Sequence, residues 1–268
     1  MSSNLSVIKS PDGEVLPAAD ACEHYKFTVS YDGTLYWGFQ RQNGCKTVQA
    51  ELESALRTLG WTGTGIIGAG RTDRGVHAEG QVFSTALHWT HGPQVLRAAM
   101  NARLPEDISI LNVEPVTEQF HARYWAESRV YRYRIYCSET REPLKDRFSW
   151  RMWPNLDLET LNLAASVLIG EHDFRAFGSP PRKNGTTIRR VDRAEWLSAG
   201  KTDIAFEVQA NGFLYHMVRR MVFLQLMTVT ERISWEAWRN TVLHAESTKP
   251  GMSPAKGLSL IKVLYKEP

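Results

Sequence analysis

Residues 65–84 read G-I-I-G-A-G-R-T-D-R-G-V-H-A-E-G-Q-V-F-S. Five glycines (Gly65, Gly68, Gly70, Gly75 and Gly80) are interspersed with Arg71, Asp73, Arg74, His77 and Glu79. Glycine at this density suits a backbone that turns sharply or lies against a ligand, because no Cβ stands in the way. The apolar pairs Ile66-Ile67 and Val82-Phe83 would anchor the loop between two strands. A short carboxylate bracketed by arginines in such a loop is either a salt-bridged turn or the centre of a reaction. We read Asp73 as a catalytic carboxylate that most other informative residues serve.

Outward from the loop, the periodicity alternates between two and 3.6 residues. Tyr25 to Tyr31 alternates aromatic and β-branched positions with polar ones, the pattern of a strand. Thr47 is placed to cap a helix with Val48, Leu52, Ala55, Leu56 and Leu59 on one face, and Gly60 ends it. A strand over Gln81–Leu87, a helix over Gln94–Ala102 and a strand over Ile108–Val113 follow.

The second half repeats this plan approximately. Arg129–Cys137 is a strand with Tyr131, Tyr133 and Ile135 on one face and Val130, Arg132, Arg134 and Tyr136 on the other. A helix with Leu158, Leu161, Leu163, Val167 and Leu168 comes next, then strands at Thr187–Leu197 and Asp203–Ala210. A long helix is expected from Phe213 to about Thr228, another over Trp235–His244, and a last strand over Leu258–Tyr265. Residues 1–24 have few large apolar groups and are expected to form a poorly ordered extension. Pro180 to Gly185 reads as an exposed, mobile loop. The fold class is α+β: an N-terminal half over 25–118 and a C-terminal half over 119–268, sharing one sheet.

The Phe213 helix is apolar almost all round, which predicts burial, yet Arg219 sits in its middle. A lone arginine ordinarily snorkels to the surface. With no polar face to leave by, Arg219 is expected instead to pair with an anion, since an unpaired buried charge costs several kcal/mol. Asp73 is the expected partner, with its pKa lowered and its charge fixed. A fixed carboxylate can act as a nucleophile or stabilise a developing cation, and it is a poor general acid. Tyr131 is expected on the inward face of its strand. A buried tyrosine is most often a core residue with a satisfied hydroxyl, but one aimed into a pocket can stack on a base and exchange a proton.

Length and composition narrow the classes. The chain has 268 residues, a net charge of +3, and 43% hydrophobic content, enough to bury a full core. Arginines cluster around 123–134, 182–193 and 219–220. Cys22, Cys45 and Cys137 are dispersed and odd in number, which points to a reducing compartment and away from a disulfide framework or structural zinc. The N-terminus lacks a signal-type apolar core, and no apolar run approaches a membrane span, so the expected location is cytoplasmic. The loop offers too few ligands for a metal, and Gly68-Ala69-Gly70 lacks the Lys-Ser/Thr of a P-loop.

The run Gly70 to Val82, G-R-T-D-R-G-V-H-A-E-G-Q-V, closely resembles the signature of the tRNA pseudouridine synthase A family. Further resemblances follow in the same order along residues 25 to 265. They are Tyr31-Asp32-Gly33, Gly38-Phe39-Gln40, Thr47-Val48-Gln49, Phe120-His121-Ala122-Arg123 and Arg129-Val130-Tyr131-Arg132-Tyr133, then Gly170-Glu171-His172-Asp173-Phe174, His216-Met217-Val218-Arg219 and Gly257-Leu258.

The resemblance implies the pseudouridine synthase fold, two similar ferredoxin-like halves on an extended antiparallel sheet. It implies isomerisation of uridines 38 to 40 in the tRNA anticodon stem-loop by a homodimer that needs no cofactor and no metal. It assigns Asp73 as catalytic carboxylate, Arg219 as its ion-pair partner, Tyr131 as the active-site tyrosine and Arg71 as the residue that fills the space of the flipped nucleotide. Contacts to the RNA are expected from Arg71, Arg74, His77, Arg123, Arg129, Arg189 and Arg220. Two residues depart from the family pattern: Phe223 stands where a small glycine is usual, and Arg220 where asparagine is common. The rival readings are an RNA-binding subunit of the same fold without turnover and a metal-dependent hydrolase.

Overall fold

The computed structural model describes residues 23–180, 182 and 185–266. The expected N-terminal extension therefore lies outside the described residues, apart from positions 23 and 24, which open the first strand. Much of the expected 180–185 loop lies outside them too.

Strand β1 (Glu23–Tyr31) turns at Gly33 and leads to helix α1 (Val48–Arg57). A short β2 (Ile67–Gly68), the Asp73 loop and β3 (His77–Leu87) follow, then α2 (Gly92–Asn101) and β4 (Ile108–Val116). The second half runs β5 (Ala126–Cys137), α3 (Pro143–Asp146), β6 (Trp150–Met152), α4 (Leu158–Ser166), β7 (Gly170–Asp173), β8 (Ile188–Ser198), β9 (Asp203–Ala210), α5 (Met217–Val229), α6 (Trp235–Leu243) and β10 (Leu258–Tyr265).

One sheet in the order β4-β1-β3-β10-β5-β9-β8-β7 unites both halves, with β2 paired to β3 and β6 to β5. The last strand is the seam: β10 runs antiparallel to β5 and parallel to β3 through Ser259–His77 and Leu260–Ala78. The sheet is thus antiparallel except at this two-residue seam and at β5–β6. Helices α2 and α4 pack on β4 and β8, and α5 packs between α4 and α6. Tyr131, Tyr133 and Ile135 of β5 enter the same hydrophobic core as Phe27 of β1, Phe83 of β3 and Phe206 of β9. At about 25 cal/mol per Å² of apolar surface removed from water, a core of this extent is the main term holding the halves together.

Where β3 and α5 start at other residues than expected, long-range contacts are responsible. Strand β3 starts at His77, not Gln81, because β10 pairs with it at His77 and β1 from Ala78 onward. Helix α5 starts at Met217, four residues later than Phe213, because Tyr215 is drawn into a bridge with Ser179. Thr47 occupies the N-cap of α1, but its side chain makes no capping bond and its Oγ1 is buried without a partner among the described residues. Leu163 in α4 is exposed: two residues from Leu161 it lies about 200° round the helix, away from the core.

Candidate active site

The Gly68–Val76 segment is pinned at nearly every residue. Ala69 donates its N–H to Val82 (2.8 Å), and its carbonyl accepts from Arg129 Nη2 (2.9 Å). Fully buried Gln81 donates to the Gly70 carbonyl (3.1 Å), and the hydroxyls of Tyr31 and Thr72 bond to each other (2.8 Å). The Thr72 carbonyl takes the Phe39 N–H (3.1 Å), and Val76 closes a turn on the Asp73 carbonyl (3.1 Å). At the start of the segment, buried Glu53 of α1 accepts the Ile66 N–H (3.2 Å). Asp73 is therefore carried on a loop whose shape is set from both flanking strands and α1.

Gly38 shows how close the fit is. It adopts φ +103°, and a Cβ there would lie 2.7 Å from the Thr72 carbonyl oxygen. Gly38→Ala is expected to cost about 1–3 kcal/mol of stability and to shift Asp73. Because displacements near 1 Å can cost roughly 100-fold in rate, kcat should fall by at least ~10-fold. Urea unfolding and single-turnover rates measure the two effects separately.

The Asp73 carboxylate, with only 16% of its side chain exposed, lies 3.5 Å from Nη1 of Arg219 through Oδ2. The same oxygen lies 3.7 Å from Nε2 of His216. Arg219 is itself fixed by Nε donating to the Ser253 carbonyl (2.8 Å). Burial pushes the Asp73 carboxyl above its usual range, and His216 and Arg219 only partly pull it back. This corrects the expectation of a lowered pKa: desolvation outweighs the guanidinium. Burial also lowers the His216 imidazole, so it is neutral at pH 7. Tyr131, 8% exposed, has its phenol pushed well up by burial, with Tyr31 and Asp73 adding to the shift. Its ring meets Phe213 edge-on at 5.0 Å, and its hydroxyl makes no hydrogen bond among the described residues.

Asp73, Tyr131 and Arg219 line one cavity of about 870 Å³, together with Arg71, Arg123, Arg129 and Arg189. That volume accommodates a nucleotide. Around it the arginines are sorted by charge pairing. Arg132, Arg134 and Arg193 are paired with Glu79, Glu195 and Glu207 away from the cavity. Arg71, Arg123, Arg129 and Arg189 have no carboxylate within 4.0 Å among the described residues, so the cavity carries uncompensated positive charge. Arg129 spends four donors on the carbonyls of Ala69, Arg123, Ala126 and Asn211, and so ties three segments of the wall together. Burial lowers its pKa, though it stays charged. Arg189 is half-buried and donates to the carbonyls of Thr186 and Ile188.

Three residues expected to touch RNA lie elsewhere. His77 is 4% exposed, with Nδ1 3.0 Å from the Gly33 nitrogen and Nε2 3.2 Å from the Lys256 carbonyl; it fixes the β1 turn against the β10 entry. Arg74 stacks over the Trp37 ring at 3.8 Å, outside the cavity wall. Arg220 donates to the carbonyls of Gly251 (2.6 Å) and Thr248 (3.3 Å). The two departures from the family pattern thus act together. Phe223 presses on Gly251 so closely that a Cβ there would lie 2.2 Å from the ring, while Arg220 holds the same segment by its carbonyls. That segment leads to Ser253, which fixes Arg219.

Sequence reasoning did not single out His216, Gln81 or Thr72 as site residues. His216 stands inside the H-M-V-R run, and Gln81 directly precedes the apolar Val82-Phe83 pair; those were the available signals. Among the described residues no group of three or more His, Cys, Asp or Glu side chains is arranged to hold a metal ion. No described helix is long and apolar enough to cross a membrane.

Fold and site together define an α+β protein with a buried carboxylate–guanidinium pair in a basic, nucleotide-sized cavity. Residues 27–125 and 164–266 match the family model described as tRNA pseudouridine synthase. Similar over nearly their whole lengths are three proteins named tRNA pseudouridine synthase A. That of Streptococcus equi subsp. equi is 35% identical over 246 residues (91% of this chain, 99% of the relative). That of Bacillus licheniformis is 36% identical over 247 residues (90% and 98%). That of Coxiella burnetii is 39% identical over 242 residues (88% and 91%). The chain belongs to the tRNA pseudouridine synthase family. A chain in a crystal structure of a Cbf5-Nop10-Gar1 complex aligns at 13% identity with a TM-score of 0.31, over 82% of this chain and 53% of the other, too slight a likeness to carry any argument.

Proposed function

We propose that this protein isomerises uridine to pseudouridine at positions 38–40 of the tRNA anticodon stem-loop. The observation that carries the reading is Asp73, paired with Arg219 on a pinned loop inside a basic cavity that also holds the Tyr131 phenol. The reaction breaks the N1–C1′ bond, turns the base and forms C5–C1′; C5 then loses its proton and N1 gains one, so that composition is unchanged. Asp73 is the catalytic carboxylate and Arg219 its ion-pair partner. Tyr131 stacks on the base and serves in proton transfer. The N-terminal half over 25–118 contributes Asp73, and the C-terminal half over 119–268 contributes Tyr131 and Arg219.

A paired uridine cannot reach this cavity within a stem, so it is extruded at a cost of a few kcal/mol. Arg71, exposed at the cavity wall, fills the vacated space and offsets part of that cost. Arg123, Arg129 and Arg189 supply positive charge for the phosphates, which makes binding steeply salt-dependent. The protein acts as a homodimer in the cytoplasm, without a cofactor.

The test is metal-free incubation with a tRNA transcript tritiated at uridine C5. Tritium released to water is expected. Bound transcript with no release would favour the RNA-binding subunit without turnover.

The pH dependence follows from burial of Asp73. The neutral form is favoured in the dry site, so the proton comes off at higher pH than from an ordinary carboxyl. As pH falls through that raised pKa the reactive carboxylate is lost. The acid limb of kcat/KM, which reports groups of the free enzyme, is therefore expected above the ordinary aspartate value of about 4. A limb at or below it would contradict desolvation as the dominant influence.

A further inference from the structure

His216 is held in a backbone conformation that capping does not explain. Its φ is +67°, in the left-handed region, which costs a non-glycine residue roughly 1–2 kcal/mol. Among the described residues two other non-glycine residues share that region, Glu231 and Ala245, and both lie just past the C-cap of a helix, where left-handed backbone is the common way to end. His216 instead occupies the N-cap of α5, where extended backbone is usual and the side chain ordinarily bonds the first turn. Its side chain makes no such bond.

The surroundings fix the conformation. The Tyr215 N–H donates to the Ser179 carbonyl at 2.9 Å, and the His216 carbonyl accepts from Arg220 at 3.0 Å. The Tyr215 ring lies against the imidazole with centroids 3.6 Å apart. What this arrangement accomplishes is to bring Nε2 to 3.7 Å from Asp73 Oδ2, the oxygen that Arg219 also faces.

We propose that His216 is a positioning residue for Asp73: with Arg219 it holds Oδ2 from two directions, leaving Oδ1 as the oxygen presented to the nucleotide. This rests on the reading of Asp73 as the reacting group. The neutral imidazole donates through Nε2–H, and the contact shortens to hydrogen-bond length when a nucleotide fills the cavity, as catalytic contacts commonly do. A carboxylate free to rotate would turn its plane through many angles relative to the nucleotide, and holding that plane at one angle lowers the barrier by orientation alone.

Two substitutions separate this from a backbone role. Asparagine tolerates left-handed backbone well but is too short to bring a donor to the Nε2 position; glutamine reaches that position but suits the backbone less. Single-turnover rates and tRNA Kd are measured for His216→Asn and His216→Gln, with Asp73→Asn alongside. Positioning predicts a fall in rate of roughly 10- to 100-fold for asparagine at unchanged Kd, with glutamine recovering most of it. Asparagine at the wild-type rate, asparagine faster than glutamine, equal losses in both, or a loss confined to Kd would each overturn the proposal. Turnover by Asp73→Asn would instead overturn the functional reading beneath it.

Discussion

Asp73→Asn is expected to reduce pseudouridine formation by roughly 10⁴-fold or more, the scale on which enzymes lose rate when the group that meets the reacting centre is removed. The substitution is nearly isosteric, so the pinned loop from Ala69 to Val76 has no cause to move. The bonds that set it come from Val82, Gln81, Tyr31, Phe39 and Arg129 and use backbone groups or the Thr72 hydroxyl, with none to the Asp73 side chain. Binding should hold, because the cations left unpaired around the cavity are untouched and the loss of one buried negative charge leaves the cavity more positive. The expected result is a wild-type Kd for tRNA, measured by filter binding, with no detectable turnover. A rate within 10-fold of wild type would remove Asp73 from the chemistry.

Arg219→Ala is expected to damage both stability and rate. Its side chain is 13% exposed, and it both faces Asp73 and fixes the Ser253 carbonyl. Removing one member of a largely buried pair strands the other, at a cost of about 2–4 kcal/mol. Asp73 would then gain protons more readily still, since desolvation would be opposed by His216 alone. The acid limb of the rate profile should therefore move to higher pH, and kcat near neutrality should fall by ~100-fold or more. The double variant Asp73→Ala/Arg219→Ala tells whether the charge is the cause. If it is, the double variant is more stable in urea than Arg219→Ala alone, with a coupling of about 1–3 kcal/mol. Strictly additive losses would mean that the two side chains do not interact.

Much of the architecture can be read from the chain because its strands and helices are strongly periodic. Phe27, Phe83, Tyr133 and Phe206 fall on inward faces by simple alternation and meet in one core. What could not be read depends on contacts between distant residues. The start of α5 is set by the Tyr215–Ser179 bridge, which no local pattern announces. The parallel seam of β10 against β3 joins residues about 180 positions apart along the chain. The clusters of arginine look alike in sequence, yet partner carboxylates on neighbouring strands neutralise Arg132 and Arg193, while Arg129 and Arg189 have no carboxylate partner among the described residues.

The same limit applied to Asp73. A buried arginine in an apolar helix pointed to a carboxylate partner, and the two lie 3.5 Å apart. The depth of the surrounding burial, which raises the Asp73 pKa instead of lowering it, depends on packing from both halves. His77 was hidden for a related reason: its place in the loop signature suggested a ligand contact, whereas pairing with Ser259 of β10 extends β3 back to include it and leaves it buried in the fold.

On the proposed function, an ionised Asp73 in this cavity converts a tRNA uridine into pseudouridine. The most direct test is position-by-position mapping of pseudouridine in an unmodified tRNA transcript after metal-free incubation with the wild-type chain or with Asp73→Asn. The account predicts pseudouridine within positions 38–40 for wild type and none for the variant. Unmodified uridine at all three positions in transcript bound by the wild-type protein, or product from the variant, would contradict it.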